Sequence, residues 1–364
     1  MKIGLYGGSF NPVHSGHIKI AKDAIKELNL DKLIFIPVAT NPFKKKQKIA
    51  SAEHRVKMLE LAIENEENME ISLFEVKRKG VSYTFETIRY FKKQFPNDQL
   101  FFIMGSDLLP KLHKWEFIEE IAQNCQLVVF KREKTINKTN IKKFNIKVLK
   151  NPLYPESSTA VREGHLEQTP WKVNEYIGDN FLYASEILHN ILKVDPARAK
   201  HCVAAAEFSA ELAKTINYDA KEAYYAGLFH DITKKMSVED SHKLIKKYVK
   251  NYKVEDYPDF VLHQVTGALW VSKIYKNSNV RIAKAISIHT TLAYELDDLD
   301  KILFIADKIC DGRAFAGVQK LRKLVLTDFD EGFKTVVKTN YDYNKAKGVV
   351  FSKEAQEIYN KWME

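Results

Sequence analysis

In its first half the chain alternates short β-rich apolar runs with longer stretches of helical periodicity, and few architectures accept that order. IGLYGG, KLIFIPV, MEISLFEV, QLFFIMG, CQLVVF and IKVL read as strands, while HIKIAKDAIKEL and SAEHRVKMLELAIEN repeat apolar residues at helical spacing. Strand–helix–strand alternation specifies a doubly wound, parallel α/β sheet. Ligands of such sheets sit beyond the carboxyl ends of the strands, so the first strand-to-helix turn, GGSFNPVHSGH, is where polar chemistry is expected. From about Tyr183 the alternation stops. HCVAAAEFSAELAKTI, AKEAYYAGLFHDI, EDSHKLIKKYVKNY, VTGALWVSKIY and LDKILFIADKI all follow helical spacing, which predicts an all-α second domain. The Gly-Asp-Asn turn signal in EYIGDNFLYASEILHN marks the junction, giving domains 1–185 and 186–364.

Composition narrows the function class. The formal charge of +10 comes from 57 basic against 47 acidic residues, but only nine bases are Arg, and scattered lysines predict no specific nucleic-acid partner. No apolar run approaches the ~18 residues of a membrane span, and the first residues are broken by glycines and histidines where a signal peptide needs an apolar core. A cytoplasmic protein with no membrane partner is expected. Cys125, Cys202 and Cys310 are odd in number and far apart, as in a reducing compartment, and are read as packing residues.

Within the first turn, Gly7 and Gly8 let the backbone approach a ligand, and Ser9 with the amide of Phe10 can present N–H groups to phosphate. His14 and His17 lie one turn apart at the start of a helix, the end that attracts anions. Downstream, SSTAVR offers a second anion site: Ser158 and Thr159 to cap a helix, and Arg162 projecting from its first turn. Two such sites bracketing one sheet suit a polyphosphate.

GSFNPVHSGH, GVSYTFET, GSDLLPKLHKW and SSTAVR, in that order along the chain, resemble the nucleotidylyltransferase superfamily, specifically the bacterial nicotinate-nucleotide adenylyltransferases. The resemblance runs to about residue 183. It implies transfer of AMP from ATP to nicotinate mononucleotide with Mg2+, giving deamido-NAD and pyrophosphate by in-line attack without a covalent intermediate. By the match, His14 and His17 contact ATP phosphates, and Ser158, Thr159 and Arg162 hold the triphosphate. Gly105 and Asp107 of GSD take a nucleotide-binding position. Trp115 stacks on the pyridine ring, and Thr84 with its neighbouring backbone reads the nicotinate carboxylate. Where that family carries Pro-His-Lys, this chain has NPFKKK, with Phe43 replacing the His and Lys44 keeping the positively charged residue, which the resemblance counts among the catalytic ones. Other mononucleotides, or pantetheine phosphate, are the alternative acceptors on this fold.

In the second half, His201, His230, Asp231 and Asp307 give an H…HD…D order, all in expected helices, with His263 and His289 between the last two. Imidazoles and carboxylates converging from several helices suit one or two transition-metal ions. RAKHCVAAAEFSAELA, AGLFHDITK, HQVTGA, AISIHTT and FIADKICDGRAFAGVQKLR resemble the HD-domain phosphohydrolases, and one bacterial branch that splits diadenosine tetraphosphate symmetrically to two ADP with a di-iron centre. That resemblance covers roughly residues 186–350. It implies six metal ligands, with Asp231 bridging two ions, catalytic aid from Lys234, and Arg198 and Arg313 near the substrate. Leu292 stands where the family has Gly after the two threonines, which predicts a narrower nucleotide pocket. The sequence therefore reads as two fused enzymes acting on ATP, nicotinate mononucleotide and a dinucleoside polyphosphate. The rival reading makes the second half a nucleotide-sensing module with a metal site that does not turn over.

Overall fold

The computed structural model describes residues 1–39 and 49–364, and divides into two compact units, Met1–Tyr176 and Ile177–Glu364. That division lies ahead of residue 185, which falls inside the helix Ala184–Ile191. The Gly-Asp-Asn signal instead ends the preceding helix, Trp171–Asp179, and Tyr183 begins the next from the left-handed region, at φ 60°.

The first unit is built on six parallel strands: β1 (Lys2–Gly8), β2 (Lys32–Pro37), β3 (Met69–Ile71), β4 (Gln99–Gly105), β5 (Gln126–Phe130) and β6 (Lys147–Val148). Their order is β3-β2-β1-β4-β5-β6, so the winding reverses between β1 and β4 and opens a crevice at their carboxyl ends. Ile3, Leu5, Ile34, Ile36, Phe102 and Val129 bury one face of the sheet against the helices Thr84–Gln94 and Ile118–Asn124. MEISLFEV departs from its expected form, because only Met69–Ile71 is strand and Phe74–Arg78 is helix. The Ser72 hydroxyl accepts from the Phe74 amide at 3.3 Å and turns the chain, and Phe74 stacks on Tyr90 at 4.0 Å instead of joining the sheet.

The second unit is all helical, as the periodicity predicts. Its long first helix, Pro196–Thr215, starts from the N-cap Asp195, whose carboxylate accepts from the Arg198 amide at 3.0 Å, with Pro196 at the first helical position. It packs closely on Ala220–Phe229 because Gly227 carries no side chain: a Cβ there would stand 2.7 Å from the Ala206 Cα. Asp259–Leu269, Val280–Ile288 and Asp298–Ile309 complete the group around the polar centre described next. No described helix is long and apolar enough to cross a membrane.

Candidate active sites

In the first unit the loop after β1 collects the predicted groups. Gly8 is required because Phe10 folds back over it, and a Cβ would lie 2.8 Å from the Phe10 ring. Phe10 itself is 2 % exposed, so only its backbone can face a ligand. His14 caps the helix Ser15–Leu28, and its ring lies 3.7 Å from that of His17, centroid to centroid. The His14 amide donates to His17 Nδ1 at 3.2 Å, which leaves the neutral His17 with its proton on Nε2. Burial, then the Arg132 charge, lowers His14 to about 4, and burial, then His14, holds His17 well below the ordinary range. Both rings are therefore uncharged donors at neutral pH. Among the described residues, nothing hydrogen-bonds to the buried His14 Nδ1.

The SSTAVR segment meets this loop. The Ser158 hydroxyl donates to the Pro12 carbonyl at 2.8 Å, and Arg162 donates to the Asn11 carbonyl and, at 3.3 Å, to Thr159 Oγ1. One expectation changes. Ser157, rather than Ser158 or Thr159, caps the helix Ser158–Arg162, accepting from the Ala160 amide at 3.0 Å. The Ser158 hydroxyl is committed to the loop, so its backbone is what remains for a phosphate. Asp107 follows β4 and Gly105, and pairs with Arg132 at 3.2 Å. Phe43 and Lys44 lie outside the described residues.

A cavity of about 300 Å3 opens beside Gly7 and Gly8, walled by Trp115, Tyr83, Phe85, Phe102 and Met104, with Thr84 at its edge. Trp115 is half-buried and stands edge-on to Phe102 at 6.2 Å, so it both packs and lines the cavity. Thr84 opens the helix Thr84–Gln94, whose first amides have no intrahelical acceptor and favour an anion. The same cavity contains Glu75, which no motif indicated. It accepts from the Thr87 hydroxyl at 2.6 Å, and burial pushes its pKa up.

In the second unit the metal-type residues converge from five segments. His201, His230 and Asp307 place ligand atoms within 4.8 Å of one another, and so do His230, Asp231 and His289, with His230 common to both groups. His201 and His230 bring Nε2 atoms to 3.2 Å, and His201 Nε2 lies 3.1 Å from Asp307 Oδ1. His230 and Asp231 were expected inside a helix. Instead they follow the end of Ala220–Phe229, as His289 follows Val280–Ile288. This placement has a chemical use, because the last carbonyls of a helix lack intrahelical donors. His230 Nδ1 donates to Gly227 O at 2.7 Å and His289 Nδ1 to Ile286 O at 2.6 Å, which aims both Nε2 lone pairs into the centre. His263 lies outside the two groups of mutually close ligand atoms; its Nε2 is 3.7 Å from Asp231 Oδ1 and 3.2 Å from Thr290 Oγ1.

The donor set fits divalent metal. Asp231 Oδ1 is buried with no hydrogen-bond partner among the described residues, although burial alone should neutralise it. His230, His289 and Lys234 outweigh that burial and hold its carboxyl well below the usual range. Burial, then Lys234, lowers His263 to about 4, and burial, then His230, lowers His289 to about 3, so both are neutral and able to coordinate. Arg198 grips Asp231 Oδ2 at 2.7 Å and Arg313 grips Asp307 Oδ1 at 3.0 Å, while Lys234 stands 3.8 Å from Asp231 Oδ1. Leu292 is buried at φ 59° and does not line the cavities beside this centre. The left-handed backbone explains why glycine suits the position, and the expected narrowing of the pocket is not what the side chain does.

A cytidylyltransferase-like family model matches residues 5–164, and an HD-domain model matches residues 198–311. The probable nicotinate-nucleotide adenylyltransferase/Ap4A hydrolase of Mycoplasma genitalium is 34 % identical over 311 residues, 85 % of this chain and 87 % of that protein. The protein of the same description from Mycoplasma pneumoniae is 35 % identical over 308 residues, 84 % of this chain and 87 % of its own length. The chain belongs to this bifunctional family. An HD superfamily hydrolase structure from Clostridium acetobutylicum gives a TM-score of 0.44 at 26 % identity, covering 50 % of this chain and 96 % of that one.

Membership of this adenylyltransferase–hydrolase family pairs a nucleotidyl-transfer site with an HD hydrolase site. Several side chains at these sites escaped sequence reasoning. Arg132 reaches the His14–His17 pair electrostatically, and Arg55, 2 % exposed, donates to Ser9 O at 2.9 Å and Ala50 O at 3.1 Å, fixing the loop from below. Lys308 pairs with Asp307 at 2.6 Å, and Cys310 Sγ lies 3.5 Å from His201 Nδ1, against its reading as simple packing. Only Lys308 and Cys310 had an available signal, their closeness in sequence to Asp307.

Proposed function

We propose that the first unit transfers AMP from ATP, supplied with Mg2+, to nicotinate mononucleotide, and that the second splits diadenosine tetraphosphate into two ADP with two divalent ions, iron being the choice of the resembled branch. For the transferase, the supporting observation is that one crevice joins uncharged histidine donors, Arg162 and an aromatic cavity of about 300 Å3. The acceptor phosphate oxygen attacks the α-phosphorus, the bond to the β-phosphate bridging oxygen breaks, and pyrophosphate leaves with the electron pair. His17 Nε2–H and Arg162 donate to charge that grows on the phosphate oxygens, and Trp115 and Thr84 orient the pyridine end.

For the hydrolase, the supporting observation is the pair of ligand groups sharing His230. His201, His230, Asp231, His289 and Asp307 would hold the metal, with His263 at the edge of the second group. A divalent ion there supplies Lewis acidity and makes water acidic enough to attack near neutral pH. Arg198, Lys234, Lys308 and Arg313 neutralise phosphate oxygens and keep the chain of phosphates in line. The full set of ligands favours turnover over a silent sensing module. Assay of the full chain tests both halves: deamido-NAD and pyrophosphate from the first, and ADP alone from the second. ATP plus AMP from diadenosine tetraphosphate, or an absence of stoichiometric metal, would remove the symmetrical-hydrolase reading.

A further inference from the structure

Two cavities flank the metal-type centre of the second unit, and they differ chemically. The centre itself is a space of about 240 Å3 bounded by Arg198, Asp231, Lys234, Thr290 and Arg313. On one side Asp307, Lys308 and Arg313 continue into a cavity of about 610 Å3. Phe315 and Tyr343, 41 % and 57 % exposed, line it together with the carboxamides of Asn340 and Asn344. Arg198 and Arg313 also line a second cavity of about 560 Å3, with Asp195, Ala197, Lys200, His201, Ala204 and Asp311. Apart from the imidazole of His201, one of the metal-type residues of the centre, that second lining holds no ring and no carboxamide.

Exposed rings are stacking platforms for any base, and carboxamides donate to and accept from base edges. The second cavity offers no carboxamide, and its one ring, His201, is turned to the metal-type centre, 3.1 Å from Asp307 Oδ1. It suits a phosphate chain, whose oxygens Arg198 and Lys200 can pair with.

We propose that the hydrolase site recognises one nucleoside only, in the Phe315–Tyr343 cavity, and reads the far half of its substrate as polyphosphate. The substrate class is then nucleoside 5′-polyphosphates with four phosphates, whether or not a second nucleoside closes the chain. Adenosine 5′-tetraphosphate is the diagnostic member. Water oxygen bonds to the γ-phosphorus, the bond from that phosphorus to the β,γ-bridging oxygen breaks, ADP leaves with the electron pair, and pyrophosphate and a proton are released. The inference rests on the hydrolase reading given under the proposed function.

The test compares diadenosine and adenosine tetraphosphates on the metal-loaded full chain, with ADP binding measured by calorimetry. The expected kcat/KM for the two substrates agrees within about tenfold, since the second base contributes no stacking. Tyr343→Ala and Phe315→Ala each raise KM for both substrates by roughly tenfold, the scale of one lost stacking contact. They also weaken ADP binding relative to the unaltered chain, a difference to which the transferase site contributes nothing. Cleavage of diadenosine tetraphosphate with no cleavage of adenosine tetraphosphate overturns the proposal, as do variants with unchanged KM and ADP affinity. If neither substrate is cleaved, the hydrolase reading fails separately, and the calorimetric difference at Tyr343 still decides whether this cavity holds a nucleoside.

Discussion

The two candidate sites are built by opposite means. The first is a backbone site: a glycine turn after β1, the start of the helix Ser15–Leu28 and the loop meeting Ser158–Arg162, with neutral histidines as donors. The second is a side-chain site, in which imidazoles and carboxylates from five segments meet and four cations stand on the carboxylates. A backbone site tolerates change in many neighbouring side chains, because geometry supplies much of its chemistry. A side-chain site concentrates charge in single residues, and losing one disrupts its partners.

Asp231→Asn should therefore have the largest effect. It removes the carboxylate charge that Arg198, Lys234 and three imidazoles, His230, His263 and His289, face, so bound metal falls and diadenosine tetraphosphate hydrolysis is lost, while deamido-NAD synthesis is unchanged. Metal analysis with both assays checks this, and retention of metal and hydrolysis would return His263 and His289 to the role of nucleotide contacts.

His17→Ala should cost the transferase ~10²-fold or more in kcat, the scale of one transition-state donor, with hydrolysis intact. A near-normal kcat would make His17 a packing residue and the first site wholly backbone in character.

Acid sensitivity sharpens the contrast through His14. Its pKa is about 4 when folded against an ordinary 6.5, so between these values the unfolded chain binds more protons and stability falls as pH drops. The expected loss is about 3 kcal/mol over that window, and His14→Asn should show a shallower decline in urea midpoint than the unaltered chain. Equal slopes would show that His14 titrates normally.

The smallest effect belongs to Trp115→Ala. Loss of one stacking wall should raise KM for nicotinate mononucleotide by about tenfold and for ATP much less. Equal rises for both would reduce Trp115 to support for Phe102.

Legibility differed between the sites for the same reason as their chemistry. The turn of the first site could be picked out because it is contiguous: Gly7 to His17 form one turn and helix start at the carboxyl end of a parallel strand, where ligands of such sheets sit, whereas Thr84, Trp115, Ser158 and Arg162 join it from elsewhere in the chain. The second could be read only as spaced residue types, since His201 and Asp307 are far apart in sequence yet meet at 3.1 Å. Ser157 was missed as the cap because Ser157, Ser158 and Thr159 are equivalent by type, and the bond from Ser158 to Pro12 separates them. Arg55 was missed because it reads as one more helical base until its burial beneath the loop is seen.

Sequence by itself determined the parallel sheet and the helical second half, and it singled out the His201, His230, Asp231, His289 and Asp307 side chains that the fold brings together, because periodicity and residue type are local properties. Tertiary structure alone decided which nitrogen of His230 and His289 faces the centre, which cations stand on Asp231 and Asp307, and which flanking cavity carries Phe315 and Tyr343. Those depend on where helices end and how closely Gly227 lets two of them approach, and packing in three dimensions sets both.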